Sequence, residues 1–154
     1  MADLGSVAGG WFSSALIKRG ATINRARKTA LLVSALAVVP IVFTNDIPNQ
    51  WIAVAIFGLA TAGHQGFSSN LYTLVSDMFP RRAVASVAGL GGMCGYIGAS
   101  LFAIFVGYSV EKRGNYFIPF LCCAAAYLLA LGVIQLLVPR LEPAFNDAAI
   151  EPSA

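Results

Sequence analysis

Residues 51–79 read WIAVAIFGLATAGHQGFSSNLYTLVSDMF, and the first charged side chain in that run is Asp77. About 20 helical residues cross the hydrocarbon core of a bilayer, so the run is long enough to span it. It does not alternate apolar and polar residues with period two, as a membrane strand must. Its middle, from Thr61 to Tyr72, is polar on one side only. At about 100° per residue, Thr61, His64, Gln65, Ser68, Ser69, Tyr72 and Ser76 fall on one face, while Asn70 and Thr73 lie off it. Hydrocarbon offers donors and acceptors no partners, so a polar stripe on a lipid-buried helix has to face protein or a water-filled cavity.

Similar stretches lie on both sides of this run. Residues 4–17 are apolar up to Lys18-Arg19-Gly20, and residues 29–44 up to the turn at Asn45-Asp46. After Pro80-Arg81-Arg82 comes 83–110, which stops at Glu111-Lys112-Arg113-Gly114, and then 116–138, which stops at Pro139-Arg140. Residues 83–110 and 116–138 satisfy the length for a span. The 29–44 stretch is short but can borrow Arg27 and Lys28, whose stems snorkel. The 4–17 stretch is expected as a whole or partial span. The prediction is an all-α, polytopic transmembrane helix bundle of about five helices over residues 1–139, followed by a polar, Pro-containing tail at 140–154.

Composition points to the same solvent. Hydrophobic residues make up 58% of the chain and charged residues 11%, against about 25% charged in an ordinary soluble domain. The distribution of charge predicts orientation. If successive loops alternate sides, one side receives Lys18, Arg19, Arg25, Arg27, Lys28, Arg81, Arg82 and Arg140, and the other only Lys112 and Arg113. The positive-inside rule makes the first side cytoplasmic. The C-terminus is then expected inside and the N-terminus outside, in the inner (plasma) membrane. No secretory signal is expected, because Asp3 stands where a basic segment should be.

Chemical motifs are scarce. Cys94, Cys122 and Cys123 lie in apolar runs without metal-ligand spacing and read as small packing residues. There is no phosphate-binding loop, nucleophile elbow or carboxylate pair. Neither an enzyme nor a cofactor nor a nucleic-acid partner is expected. In 83–110, Gly91, Gly95 and Ala99 repeat every four residues, as do Ala88 and Gly92, a spacing that allows close helix approach. The basic stretch after the first helix reads as a topology determinant, or as a latch that also pairs with a neighbouring helix end; Asp77 admits the same two readings.

The run HQGFSSNLYTLVSDMFPRRAVASVAGLGGMCGYIGA (64–99), with DLGSVAGGWFSSALIKRG followed by NRARK (3–28), resembles the anion:cation symporter branch of the major facilitator superfamily, whose members include hexuronate and galactonate transporters. The resemblance reaches to about Arg140. It implies a twelve-helix fold of two six-helix halves, of which this chain holds part of helix eight and helices nine to twelve. It implies a solute site touched by Ser69, Tyr72 and Gly92, with Gly at a position where a larger polar side chain is usual. In the superfamily's loop motif the acidic position falls on Ser14, so the charge pair of that loop lacks its acid.

The resulting expectation is a fragment of a secondary active transporter, a proton-coupled symporter of an organic anion such as a hexuronate. His64, Gln65, Ser68, Ser69, Tyr72 and Gly92 would bind the substrate. The other expected partners are a proton, the lipid bilayer and an absent N-terminal half that supplies the positive charge for the carboxylate. Alone, the chain is expected not to transport. The alternative is a small membrane protein that acts by helix–helix association, its polar stripe serving as interhelical hydrogen bonds.

Overall fold

The computed structural model describes residues 1–141. The remaining thirteen positions of the expected tail, 142–154, lie outside the described residues. Five α-helices follow one another: α1 (Ala2–Lys18), α2 (Ile23–Val38), α3 (Gln50–Met78), α4 (Arg81–Arg113) and α5 (Phe117–Leu137). A 3₁₀ segment, Val39–Asp46, continues α2. No strand occurs among the described residues.

Local chemistry sets the helix ends. Gly20 adopts φ 91°, and Gly20 N–H and Ala21 N–H donate to Ile17 O and Leu16 O. This is the paired-bond cap that a left-handed glycine permits. Thr22 then caps α2 by accepting from Arg25 N–H. Pro40 removes a backbone donor, and the chain tightens there from α to 3₁₀. Asn49 caps α3 by accepting from Trp51 N–H at 2.9 Å. Phe79, forced out of the helical region by Pro80, is extended at φ −109° and ψ 147°, and α4 begins directly after the proline. Gly114, at φ 68°, closes α4 by donating to Val110 O.

The second helix begins six residues before the apolar stretch at 29–44, inside the basic segment. Arg27 and Lys28 belong to the helix, as expected, and their side chains reach neighbouring helices. α2 with its 3₁₀ extension, α4 and α5 are each long and apolar enough to cross a membrane. α1 has only 17 residues. α3 has 29, but its polar middle keeps it out of that class, so the expectation for 51–79 holds for length and not for apolarity. α3 tolerates its polar residues because it is the central helix, flanked by α1 and α2.

That central packing uses glycine. A Cβ on Gly9 would stand 2.7 Å from Gly66 Cα, and one on Gly63 would stand 2.7 Å from Ser34 O. Backbones of α1, α2 and α3 therefore meet with no side chain between them. Leu31, Ala35, Phe67 and Leu74 form one buried cluster, against which Tyr127, Leu131 and Ile134 of α5 pack. Val38, Ile41 and Ala60 form a second, covered by Phe120.

α4 is different. Within its 33 residues only Ser109 is buried. Gly89, Gly91, Gly95 and Gly98 have nothing within 4 Å of a built Cβ. The close approach that its spacing suggests is made instead by α1, and the small residues of α4 border open clefts. Large apolar side chains stand exposed on every helix, among them Trp11, Tyr96 and Leu136. Such a surface belongs in hydrocarbon rather than water.

Candidate solute cleft between α3 and α4

A cleft of about 500 Å³ separates α3 from α4. His64, Gln65, Ser68 and Tyr72 line its α3 wall, and Gly91, Gly92 and Gly95 line the α4 wall. These α3 residues recur at spacings of three and four, so they stack on one face. Gly92 lies opposite Tyr72: a Cβ there would come within 3.9 Å of the phenol oxygen. Because α4 presents glycine, its wall is backbone-thin, and the cleft stays open where a larger residue would fill it. Chemically the cleft offers an imidazole, a carboxamide, a hydroxyl and two phenols, those of Tyr72 and Tyr96, against an otherwise apolar lining. That inventory suits a solute rich in hydroxyls and carries no fixed charge for a carboxylate.

Ser69 does not belong to it. One residue beyond Ser68, it is turned about 100° toward α1, where its hydroxyl donates to Gly66 O at 3.1 Å and to Ser6 O at 3.4 Å. Thr61, Thr73 and Ser76 likewise donate to carbonyls of their own helix, Phe57 O, Ser69 O and Thr73 O. Asn70, which lies off the stripe, is wholly buried beside Gly9 and donates to Gly66 O at 2.9 Å. The polar middle of α3 thus splits in two. His64, Gln65, Ser68 and Tyr72 face the cleft, while Ser69, Asn70 and Thr73 serve the interior of the bundle.

Tyr127 of α5 is the residue that the sequence reading missed. Its phenol oxygen lies 2.5 Å from His64 Nδ1. Its ring meets Phe67 edge to face, with centroids 5.2 Å apart. A tyrosine in an apolar helix without a polar stripe carries no signal of such a role. A second, more apolar cleft of about 450 Å³ runs between α4 and α5 and is lined by Tyr127, Phe67, Cys122 and Cys123.

The basic end of the bundle is tied by charge. Arg27 Nε donates to Asp77 Oδ2 at 3.0 Å, and its NH1 donates to the buried Ser13 hydroxyl at 2.8 Å, joining α2, α3 and α1. Lys28 Nζ donates to Val138 O at 2.7 Å and to Pro139 O at 2.9 Å, where α5 ends. Of the two readings left open for this segment, the latch exists. The carboxylate that pairs with Arg27 is that of Asp77 on α3.

The chain was compared with known proteins. It is 30% identical over 149 residues to the hexuronate transporter of Escherichia coli K12, an alignment covering 96% of this chain and 34% of that protein. Its relatives are transporters of the major facilitator superfamily. Another superfamily relative, the probable galactarate/D-glucarate transporter of Bacillus subtilis 168, is 30% identical over 153 residues, 95% of this chain and 33% of that protein. The D-galactonate transporter of E. coli O6:H1 is 28% identical over 133 residues, 86% of this chain and 29% of that protein. No family model matches. The chain spans about a third of the length of these curated relatives. The transporter relatives and the three apolar spans together make it a multi-pass membrane protein, and the relatives are named as transporters rather than enzymes.

Proposed function

We propose that this chain supplies one wall of the solute cavity of a secondary transporter for sugar acids such as hexuronates. His64, Gln65, Ser68 and Tyr72 bind hydroxyls of the solute, and Gly92 leaves room for it. The observation that carries this reading is the α3–α4 cleft, into which these four polar side chains converge from one face of α3. The names of the relatives, hexuronate, galactarate/D-glucarate and D-galactonate transporters, support the substrate class. In this reading the chain corresponds to part of helix eight through helix twelve. The cavity is completed by helices outside the chain, which supply the cation for the carboxylate, and the halves rock about the site to alternate access. Transport is symport with a proton. The chain alone does not transport.

The basic end supports an orientation. Contacts of Arg27 with Asp77 and of Lys28 with Val138 gather the ends of α1, α3 and α5 beside the start of α2. Most of the Lys and Arg residues are there. Placing that end in the cytoplasm of an inner membrane satisfies the positive-inside rule, with the C-terminus inside.

A chimera tests the proposal. The matched region of the E. coli hexuronate transporter is replaced by this chain, and galacturonate uptake is measured in cells lacking their own transporter. Uptake that collapses with a protonophore is expected, as is its reduction in His64→Ala, Gln65→Ala and Tyr72→Phe. A chimera that reaches the membrane but takes up no uronate counts against the substrate class. Undiminished uptake in all three variants defeats the cleft assignment.

A further inference from the structure

His64 stands between two environments. It lines the α3–α4 cleft, whereas the residue on its Nδ1 side, Tyr127, belongs to α5 and lies outside that cleft. The 2.5 Å separation of Nδ1 and the phenol oxygen requires one proton between them. Two arrangements are possible, because a neutral imidazole has one donor and one acceptor nitrogen and a phenol does both. If Nδ1–H donates, the phenol proton needs another acceptor, and among the described residues Tyr127 Oη has no other hydrogen-bond partner. If the phenol donates, its proton is used and Nδ1 is the acceptor. The imidazole proton then resides on Nε2, on the ring edge away from α5. The bond made by one ring nitrogen fixes the state of the other.

We propose that Tyr127 is a positioning residue: by donating to Nδ1 it locks His64 in the Nε2–H tautomer and so makes it a hydrogen-bond donor to the cleft. Phe67 holds the Tyr127 ring edge to face, and both rings pack with the buried cluster of α2 and α3. The tyrosine is thereby fixed before any solute arrives. A donor aimed into the cleft takes an oxygen acceptor, a hydroxyl or carboxylate oxygen of a polyhydroxy acid. That choice of ligand rests on the sugar-acid reading; the tautomer does not. With an acceptor nitrogen facing the cleft instead, His64 would have no proton to offer a carboxylate oxygen.

His64 is the only histidine in the chain, so its imidazole nitrogens can be observed without assignment. The chain, labelled with ¹⁵N-imidazole histidine, is placed in lipid nanodiscs at a pH well above the ordinary imidazole value. The ¹⁵N spectrum is recorded without any sugar acid. A protonated Nε2 and a bare, hydrogen-bonded Nδ1 are expected, with both tautomers populated in Tyr127→Phe, which keeps the ring against Phe67. A proton on Nδ1 in the wild type overturns the proposal whatever the variant does. So does a tautomer ratio that Tyr127→Phe leaves unchanged while circular dichroism shows the same helicity. In the chimera, Tyr127→Phe raises the KM for galacturonate about three- to tenfold, and adds nothing further to His64→Ala. Additive effects of the two would mean that Tyr127 does not act through His64. Failure of uptake with the predicted spectrum intact would reject the sugar-acid reading and leave the tautomer lock standing.

Discussion

Replacing Gly9 by alanine is the most direct probe of how this bundle holds together. The added Cβ would lie 2.7 Å from Gly66 Cα and 3.0 Å from Gly66 O, whereas ordinary contact begins at 3.4 Å. The obstacle is backbone on both helices, so no rotamer relieves it. α1 has to retreat from α3 by about 0.7 Å, the difference between 3.4 and 2.7 Å. Between lipid-embedded helices the attraction is largely close van der Waals packing, which weakens steeply over such a gap. Overpacking of this kind costs about 1–3 kcal/mol. The control is Gly10→Ala on the same helix, where nothing lies within 4 Å and the better helix propensity of alanine favours the variant by up to about 1 kcal/mol. Two neighbouring, chemically identical changes therefore have opposite signs. The measurement is the unfolding midpoint of each variant in mixed micelles titrated with dodecyl sulfate, followed by circular dichroism. If Gly9→Ala unfolds at the same dodecyl sulfate fraction as Gly10→Ala, the glycine seam does not hold α1 on α3.

Three further outcomes are expected. Asp77→Asn and Arg27→Gln, taken singly and together in the same unfolding assay, give a coupling of about 1 kcal/mol that shrinks with added salt, since both side chains are partly exposed; zero coupling at low salt would show that the pair is incidental. In the chimera, Ser69→Ala leaves the KM for galacturonate unchanged and lowers stability, whereas Ser68→Ala raises the KM, because only Ser68 lines the cleft; the reverse pattern would place the solute on the α1 side of α3. Gly92→Ala is tolerated, its Cβ meeting Tyr72 at an ordinary 3.9 Å, while Gly92→Trp fills the cleft and abolishes uptake in a protein that still reaches the membrane; full uptake by the tryptophan variant would put the solute path elsewhere.

Helix ends were legible where the chain spends prolines, glycines or charges. Pro80 and Gly114 mark the ends of α4 because each imposes a backbone state that no neighbour has to supply. That Arg27 and Lys28 belong to α2 was legible, because the 29–44 stretch is too short to span without them; the start at Ile23 was not, because Asn24 and Arg25 carry no apolar signal. The polar stripe of α3 was legible as a stripe spanning about 140° of the helix. Its division was not, because periodicity records an angle and not which helix stands there. Ser69 lies at the edge that α1 covers, and Asn70 sits beneath Gly9. The glycines of α4 share a spacing with those that pack, and only the position of a partner separates the two cases. Tyr127 was invisible because its polarity matters through one atom, reached from a helix 63 residues away in sequence.

The lysine clamp has a consequence for how the protein is made. Lys28 and Val138 are 110 positions apart, and the clamp closes the ring of helices by joining the start of α2 to the end of α5. A ribosome has to deliver all five helices before the carbonyls that receive this ammonium exist. Until then α2 sits at the membrane with a charged amine that its own helix cannot satisfy, and α5 arrives with open carbonyls at its last turn. Closure of this clamp is thus a late event in biogenesis, and a chain interrupted before residue 138 lacks the carbonyls that hold the Lys28 ammonium.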